Sequence, residues 1–426
     1  MKKAFCSITV YFFIQPFLFA QNPEDSIQEK EVSGTLNFLS SDALKGRGNF
    51  TPELVTAANY IADEFRSFGL QPFPGDFNFH LPFNASTAKD IYRDNIKWNE
   101  KKLDQSQFIY LSREILPSSK TLSDFNLIEY NGRFTDSIFF AHWLDTTNTL
   151  IWWKGNQSGN RDLPLENFRN PGFPPFRNIL FVSENSSPSS LVVTINEQYR
   201  KNVLFDMIGV LPGKGKPKEI IIFSAHYDHI GSTEGPGDAI LNGANDDASG
   251  TTALLMLAKY FSLRNDNERS IFFCAFAGEE LGLIGSTFFS SMLKPQYVKA
   301  VINIEMIGKT NVAGNNSFFV TGANYSNLEK ILKANLKNNV VKVSPGSEAG
   351  KLFQRSDNFP FALKGIPAHT IMCSDDNDPC YHKNCDEAQR IEIRNMTNII
   401  KAIASATENL INGKDTPTRI KPWELK

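Results

Sequence analysis

Acid, base and metal-ligand side chains gather in five short stretches of the chain. His226 and Asp228 stand two apart in AHYDHIG, Asp246 and Asp247 are adjacent in NGANDDASG, and Glu279 and Glu280 are adjacent in AGEELG. Glu305 lies inside the apolar run NIEMIG, and Tyr381 and His382 are neighbours in DPCYHKNCDE. Taken singly, most have an ordinary reading. The paired glutamates suit the positive end of a helix dipole, and the paired aspartates suit capping of a following helix. A strand histidine is most often a hydrogen-bonded core residue, and Tyr381 alone is a loop aromatic. Glu305 resists such a reading, because a carboxylate within an apolar run is costly unless it is paired or holds a metal. Gathered in one place, these carboxylates would repel one another unless a positive charge sat among them. A metal pair is the economical answer. Histidine and carboxylate donors without a cysteine cluster suit zinc, with cobalt or manganese as substitutes. Two ions roughly 3.5–4 Å apart require one shared carboxylate. The sequence has no H-E-x-x-H, G-x-S-x-G, C-x-x-C or P-loop, which leaves a metal-activated water as the natural nucleophile.

The elements that must position these groups are four apolar runs: EIIIFSAHYD (219–228), SIFFCAFAGEE (270–280), AVINIEMIG (300–308) and IPAHTIMC (366–373). Stretches with helical patterning separate them, the clearest being TTALLMLAKYFS (251–262). Continuous apolar strands alternating with helices imply an α/β fold with a mostly parallel central sheet flanked by helices. Each candidate group lies at or just beyond the carboxyl end of a run, where such sheets bind ligands. Upstream, residues 21–89 read as helical, with one helix across ELVTAANYIADEFRSFG and Gly69 at its stop. Residues 90–201 are rich in aromatics, Asn, Ser and Pro with short β-like runs, and read as an inserted β-rich segment or small domain. Residues 202–412 hold the site, and 413–426 read as a surface tail.

AHYDHIG, NGANDDASGTTALL, AGEELGLIGS, NIEMIG and GIPAHTIMCSDDNDPCYHKNCDE occur in the order and approximate spacing of the M28 family of zinc metallopeptidases, of the aminopeptidase Y/S type. The resemblance covers about Asn202 to Ile411, and LSSDALKGRGNFTPELVTAANYIADEFRSFGLQPF resembles the leader helices of bacterial members. It implies a zinc exopeptidase-like fold and two zinc ions: His226 and Glu305 on one, Glu280 and His382 on the other, Asp246 bridging both. It further implies Glu279 as general base, Tyr381 as a donor to the oxyanion and Asp228 as the carboxylate that orients His226. Asp247 would shape its loop, around the unusual cis peptide that follows the bridging aspartate in many members, and Asp357 and Asp386 would support loops. Glu305 is a departure, since the family's familiar residue there is aspartate. The segment 90–201 is another, lacking a clear protease-associated pattern; covering the site and stabilising the fold are both open roles for it.

The 426 residues suffice for two or three domains, or one large domain with insertions, and 41% hydrophobic content suffices for an ordinary core. The net charge is −2 with no long basic run, which argues against a nucleic-acid partner. MKKAFCSITVYFFIQPFLFA has the layout of a secretory signal peptide, residues 1–20, with cleavage expected near Ala20–Gln21 and no integral membrane segment afterwards. Export to the periplasm or beyond follows, and an oxidising compartment allows one disulfide among Cys373, Cys380 and Cys385. The expected activity is removal of N-terminal residues from peptides or proteins. Its rivals are a glutaminyl cyclase-like acyltransferase with a single zinc and a non-catalytic receptor of the same fold. Oligomeric state is not legible.

Overall fold

The four apolar runs become the parallel centre of a mixed sheet, nine-stranded among the described residues. The structure is a computed structural model that describes residues 26–425 except 75–77, 86–94, 105–106, 112–117, 132–141, 143–146, 155–177, 196–202, 234–236, 337–340 and 346–348. Residues 1–20, read as a signal peptide, lie outside the described residues. Numbered within this sheet, the strands are β1 (Gln71–Pro72), β2 (His80–Asn84), β3 (Val203–Leu211), β4 (Lys216–His226), β5 (Arg269–Phe276), β6 (Val298–Ile304), β7 (Ser317–Val320), β8 (Lys342–Val343) and β9 (Ala368–Met372). Their order is β1-β3-β5-β4-β6-β9-β7-β8, with β2 also paired to β3. β5, β4, β6 and β9 are mutually parallel, whereas β3 meets β5 and β7 meets β9 antiparallel. Thus the stretch read as helical from 21 to 89 also supplies two strands to the sheet.

The chain leaves β4, crosses to β5 on one side, and returns to β6 on the other, so the crevice for a ligand opens where the strand order reverses, at the end of β4. Six helices of eight or more residues accompany the sheet among the described residues: α1 (Glu29–Leu39), α2 (Pro52–Ser67), α3 (Gly250–Arg264), α4 (Ile284–Met292), α5 (Leu328–Asn335) and α6 (Ile393–Ile411). Pro52 opens α2, and the Thr51 side chain caps it by accepting from Leu54 N. Gly69, with φ 75°, follows its end.

The pleat divides β4 between two cores. Ile221 and Phe223 face α1, α2, α3 and α6, whereas Ile222 faces Phe289 of α4 together with Phe361 and Ile366. Burial on both faces explains why these strands read as unbroken apolar runs.

The inserted segment forms two four-stranded sheets among the described residues. In TLIWW, Ile151 and Trp153 join the core behind the central sheet, and Leu150 and Trp152 pack against Trp98 and Val193 of the second small sheet. The two adjacent tryptophans thus bury on opposite faces of their own small sheet. No helix among the described residues is long and apolar enough to cross a membrane.

The last residues lie at the surface but are tied down more firmly than a tail. Ile420 is buried, Arg419 donates to Val298 O, and Arg269 donates to Thr416 Oγ1 and Asp415 O.

Candidate active site

The sheet edge brings together every site residue named from the sequence. His226 ends β4; Glu279 and Glu280 follow β5 across a turn permitted by Gly278 (φ 72°); Glu305 follows β6 directly; Tyr381 and His382 lie beyond β9. Asp246 and Asp247 form the loop entering α3, joined by a cis peptide. That loop is stitched from below. Asp386 accepts from the backbone N–H groups of Asn245 and Asp246 at 3.0 Å, and Asp247 accepts from Gly250 (2.9 Å), Met306 (3.2 Å) and His226 (3.3 Å). A Cβ on Gly250 would lie 2.1 Å from Ile304 O and 2.4 Å from Asp247 Oδ2, so only glycine lets the helix start against β6.

Asp246 stands between two histidines, with Oδ1 3.2 Å from His226 Nε2 and Oδ2 3.1 Å from His382 Nε2. Glu280 Oε1 is 3.4 Å from His382 Nε2. Donor atoms of His226, Glu279 and Glu305 lie within 4.8 Å of one another, as do those of His229, Asp246 and Glu280. Glu305 carries its extra methylene with its Oε2 hydrogen-bonded by the Ser356 hydroxyl. The Tyr381 ring stacks on His382 at 3.8 Å, and a disulfide between Cys380 and Cys385 brackets the pair. Cys373, the third cysteine considered for pairing, is a buried free thiol.

Asp228 behaves differently from the expectation. The partner of His226 Nδ1 is the Asp228 main-chain carbonyl at 3.1 Å, with the carboxylate at 3.8 Å. The carboxylate instead accepts from Asn49 and from the backbone of Glu279 and Glu280.

Two residues escaped the sequence reading. Arg47 is buried and donates to four carbonyls, of Leu39, Tyr227, Asn242 and Gly243, bracing the loops under the site. Its only signal was a lone basic residue between glycines in KGRGN. His229 is buried with Nδ1 2.9 Å from Glu280 Oε1. It was legible as the second histidine of HYDH but lay one residue beyond the apolar run 219–228.

The donors fit a metal. The Nε2 atoms of His226 and His382, the ring atoms that face Asp246, are buried without a hydrogen-bond partner, which is the state of an imidazole able to take a cation. The carboxylates are electrostatically frustrated as they stand. Burial, reinforced by neighbouring carboxylates, pushes Glu279 and Asp247 well above the usual carboxylate range, and burial pushes Glu305 up to about 7. For His226 burial opposes the proton, but Glu279 and Asp246 prevail and hold the imidazole well above its usual pKa. A cation among these groups removes the conflict.

The fold and donor set define a zinc exopeptidase-like α/β protein. Residues 206–407, just under half of the chain, match the model of Peptidase family M28. It is 26% identical to aminopeptidase YwaD of Bacillus subtilis over 236 residues, covering 51% of this chain and 47% of that protein. With aminopeptidase Y of Saccharomyces cerevisiae it shares 28% identity over 193 residues, 42% of this chain and 33% of the relative. The chain thus matches about half, or less, of the length of these curated relatives. The solved structure of BSAP, a zinc aminopeptidase from Bacillus subtilis, superposes with a TM-score of 0.54 at 16% identity, covering 92% of this chain and 97% of that one. At that identity the likeness speaks for the fold.

Proposed function

We propose that this chain is a zinc-dependent aminopeptidase with two ions, hydrolysing the N-terminal peptide bond of peptides or proteins. The observation that carries the reading is Asp246, whose two oxygens face two different histidines at 3.2 and 3.1 Å. One carboxylate so placed is what a shared ligand requires. On this reading His226 and Glu305 complete one position, and Glu280 and His382 the other. Bound zinc supplies Lewis acidity and lowers the pKa of water to about 7.

The chain's own groups do the rest. Glu279 takes the proton of the attacking water and passes it to the departing amine; burial raises its proton affinity above that of an ordinary carboxylate, which makes it the stronger base. Burial also raises the Tyr381 phenol, which keeps it protonated as a donor to the developing oxyanion. Asp228 fixes the backbone of both glutamates. Preference for a free N-terminus draws on the aminopeptidases among the relatives, and export on the first twenty residues.

A panel of aminoacyl-arylamides and short peptides with free or acetylated N-termini tests the activity. Free substrates are expected to be cleaved, and acetylated ones spared. Internal cleavage of blocked peptides overturns the aminopeptidase reading, and a single tightly bound zinc overturns the two-ion site.

A further inference from the structure

We propose that His229 is a fourth protein donor to the ion held by Asp246, Glu280 and His382, so that the two metal positions are unequal: one closed, one open. The inference rests on the two-ion reading above and assigns a residue that reading does not use.

His229 is held in place from several directions. Its backbone N–H donates to Arg47 O at 3.2 Å, and it forms a parallel bridge with Gly48. Its ring lies against Gly243, where a Cβ would come within 2.5 Å of the imidazole Cδ2. Only a glycine, here also at φ 57°, leaves space for the ring. Nδ1 points at the carboxylates, 2.9 Å from Glu280 Oε1 and 3.9 Å from Asp246 Oδ2. The rings of His229 and His382 approach edge to face, with centroids 5.7 Å apart at 73°.

These spacings match ligands around one ion. Donors about 2.0–2.1 Å from a common zinc stand roughly 2.9–3.4 Å apart for angles between about 90° and 110°. The contacts His229–Glu280 (2.9 Å), Asp246–His382 (3.1 Å) and Glu280–His382 (3.4 Å) all lie in that window. The 3.9 Å between His229 and Asp246 corresponds to a wider angle. Two carboxylates and two neutral imidazoles also balance a divalent charge.

The consequence is asymmetry. Four protein donors close a zinc site, whereas three leave a position for water or substrate. The position formed by His226, Glu305 and Asp246 keeps that opening, on the side where Glu279 stands within 4.8 Å of His226 and Glu305. The closed position binds its ion more tightly and anchors the loops; the open one exchanges.

Two measurements test this. In zinc X-ray absorption of the wild-type protein loaded with one equivalent, two imidazoles on the ion are expected; one imidazole overturns the proposal. In chelator competition, His229→Asn is expected to weaken the tighter zinc more than about 100-fold, beyond the 10–100-fold that outer partners cost, with the weaker zinc unchanged. Two affinities within about threefold of wild type, in a variant whose metal-free form folds as wild type, overturn it. If the variant fails to fold, the wild-type absorption decides. Wild-type protein binding two ions with one imidazole each sinks the His229 assignment alone; protein binding no zinc sinks the metallopeptidase reading as well.

Discussion

Asp228 holds Glu279 by its backbone: Oδ1 accepts the Glu279 N–H at 3.2 Å, while Oδ2 accepts from Glu280 N at 3.4 Å and Asn49 Nδ2 at 2.6 Å. A single buried carboxylate at the end of β4 therefore sets the loop after β5. Asp228→Asn turns an amide toward N–H groups that need an acceptor. The expected result is a fall in kcat/KM and in zinc affinity of about 10–100-fold each, read by steady-state kinetics and chelator competition.

Glu279 and Glu280 are adjacent yet separable. Glu280 lies 3.4 Å from His382 Nε2, whereas Glu279 groups with His226 and Glu305. Glu279→Gln is expected to retain two zinc ions and lose about 10²- to 10⁴-fold in kcat. Glu280→Gln is expected to lose affinity for one ion. Elemental analysis beside kinetics separates the two outcomes, and equal metal loss in both variants contradicts the division of roles.

Metal removal should destabilise as well as inactivate, because burial and mutual repulsion raise the proton affinity of Glu279, Asp247 and Glu305 when no cation sits among them. Saturating zinc at about a thousand times its Kd stabilises by about 4 kcal/mol. Thermal melts after EDTA treatment and after zinc return are expected to show a lower Tm and its recovery.

The Cys380–Cys385 disulfide closes a short loop, with a sequence separation of 5, around Tyr381 and His382. Opening it with Cys380→Ser and Cys385→Ser together costs about 2 kcal/mol of stability by loop entropy. It also frees His382, so zinc affinity should drop on that side; denaturant titration and zinc competition measure the two effects.

His369 offers a pH test away from the metal ligands. It is buried, with Nδ1 2.7 Å from Thr321 O and Nε2 2.7 Å from Ser326 Oγ. Burial lowers its pKa from 6.5 to about 4. Between these values the unfolded chain binds the extra proton, so this contribution is complete above about pH 6.5 and is lost as pH falls toward 4. Its size is about 3 kcal/mol at most. Urea unfolding at pH 7 and pH 4.5 should show a smaller acid loss in His369→Gln than in wild type.

Much of the candidate site was legible because side chains able to ligate a metal stand at strand ends, and apolar runs broken by carboxylates mark those ends. His226, Asp246, Glu280, Glu305 and His382 are all named by that pattern. Arg47 and His229 were not, because their meaning depends on partners far along the chain or across a loop. Arg47 reaches carbonyls near position 242, and His229 reaches Glu280, contacts that no local period records.

By itself the sequence determined the parallel strand core, the positions of the acidic and imidazole groups at its carboxyl edge, and a set of motifs shared with Peptidase family M28. Strand periodicity and residue chemistry are local properties, and they are written residue by residue. Tertiary structure alone decided which oxygen faces which histidine, that the Asp228 carboxylate binds the glutamate backbones, which cysteines pair, and that the terminal residues dock. Those outcomes depend on distances of a few ångströms between segments up to some two hundred residues apart, set by how the helices and small sheets pack around the central one.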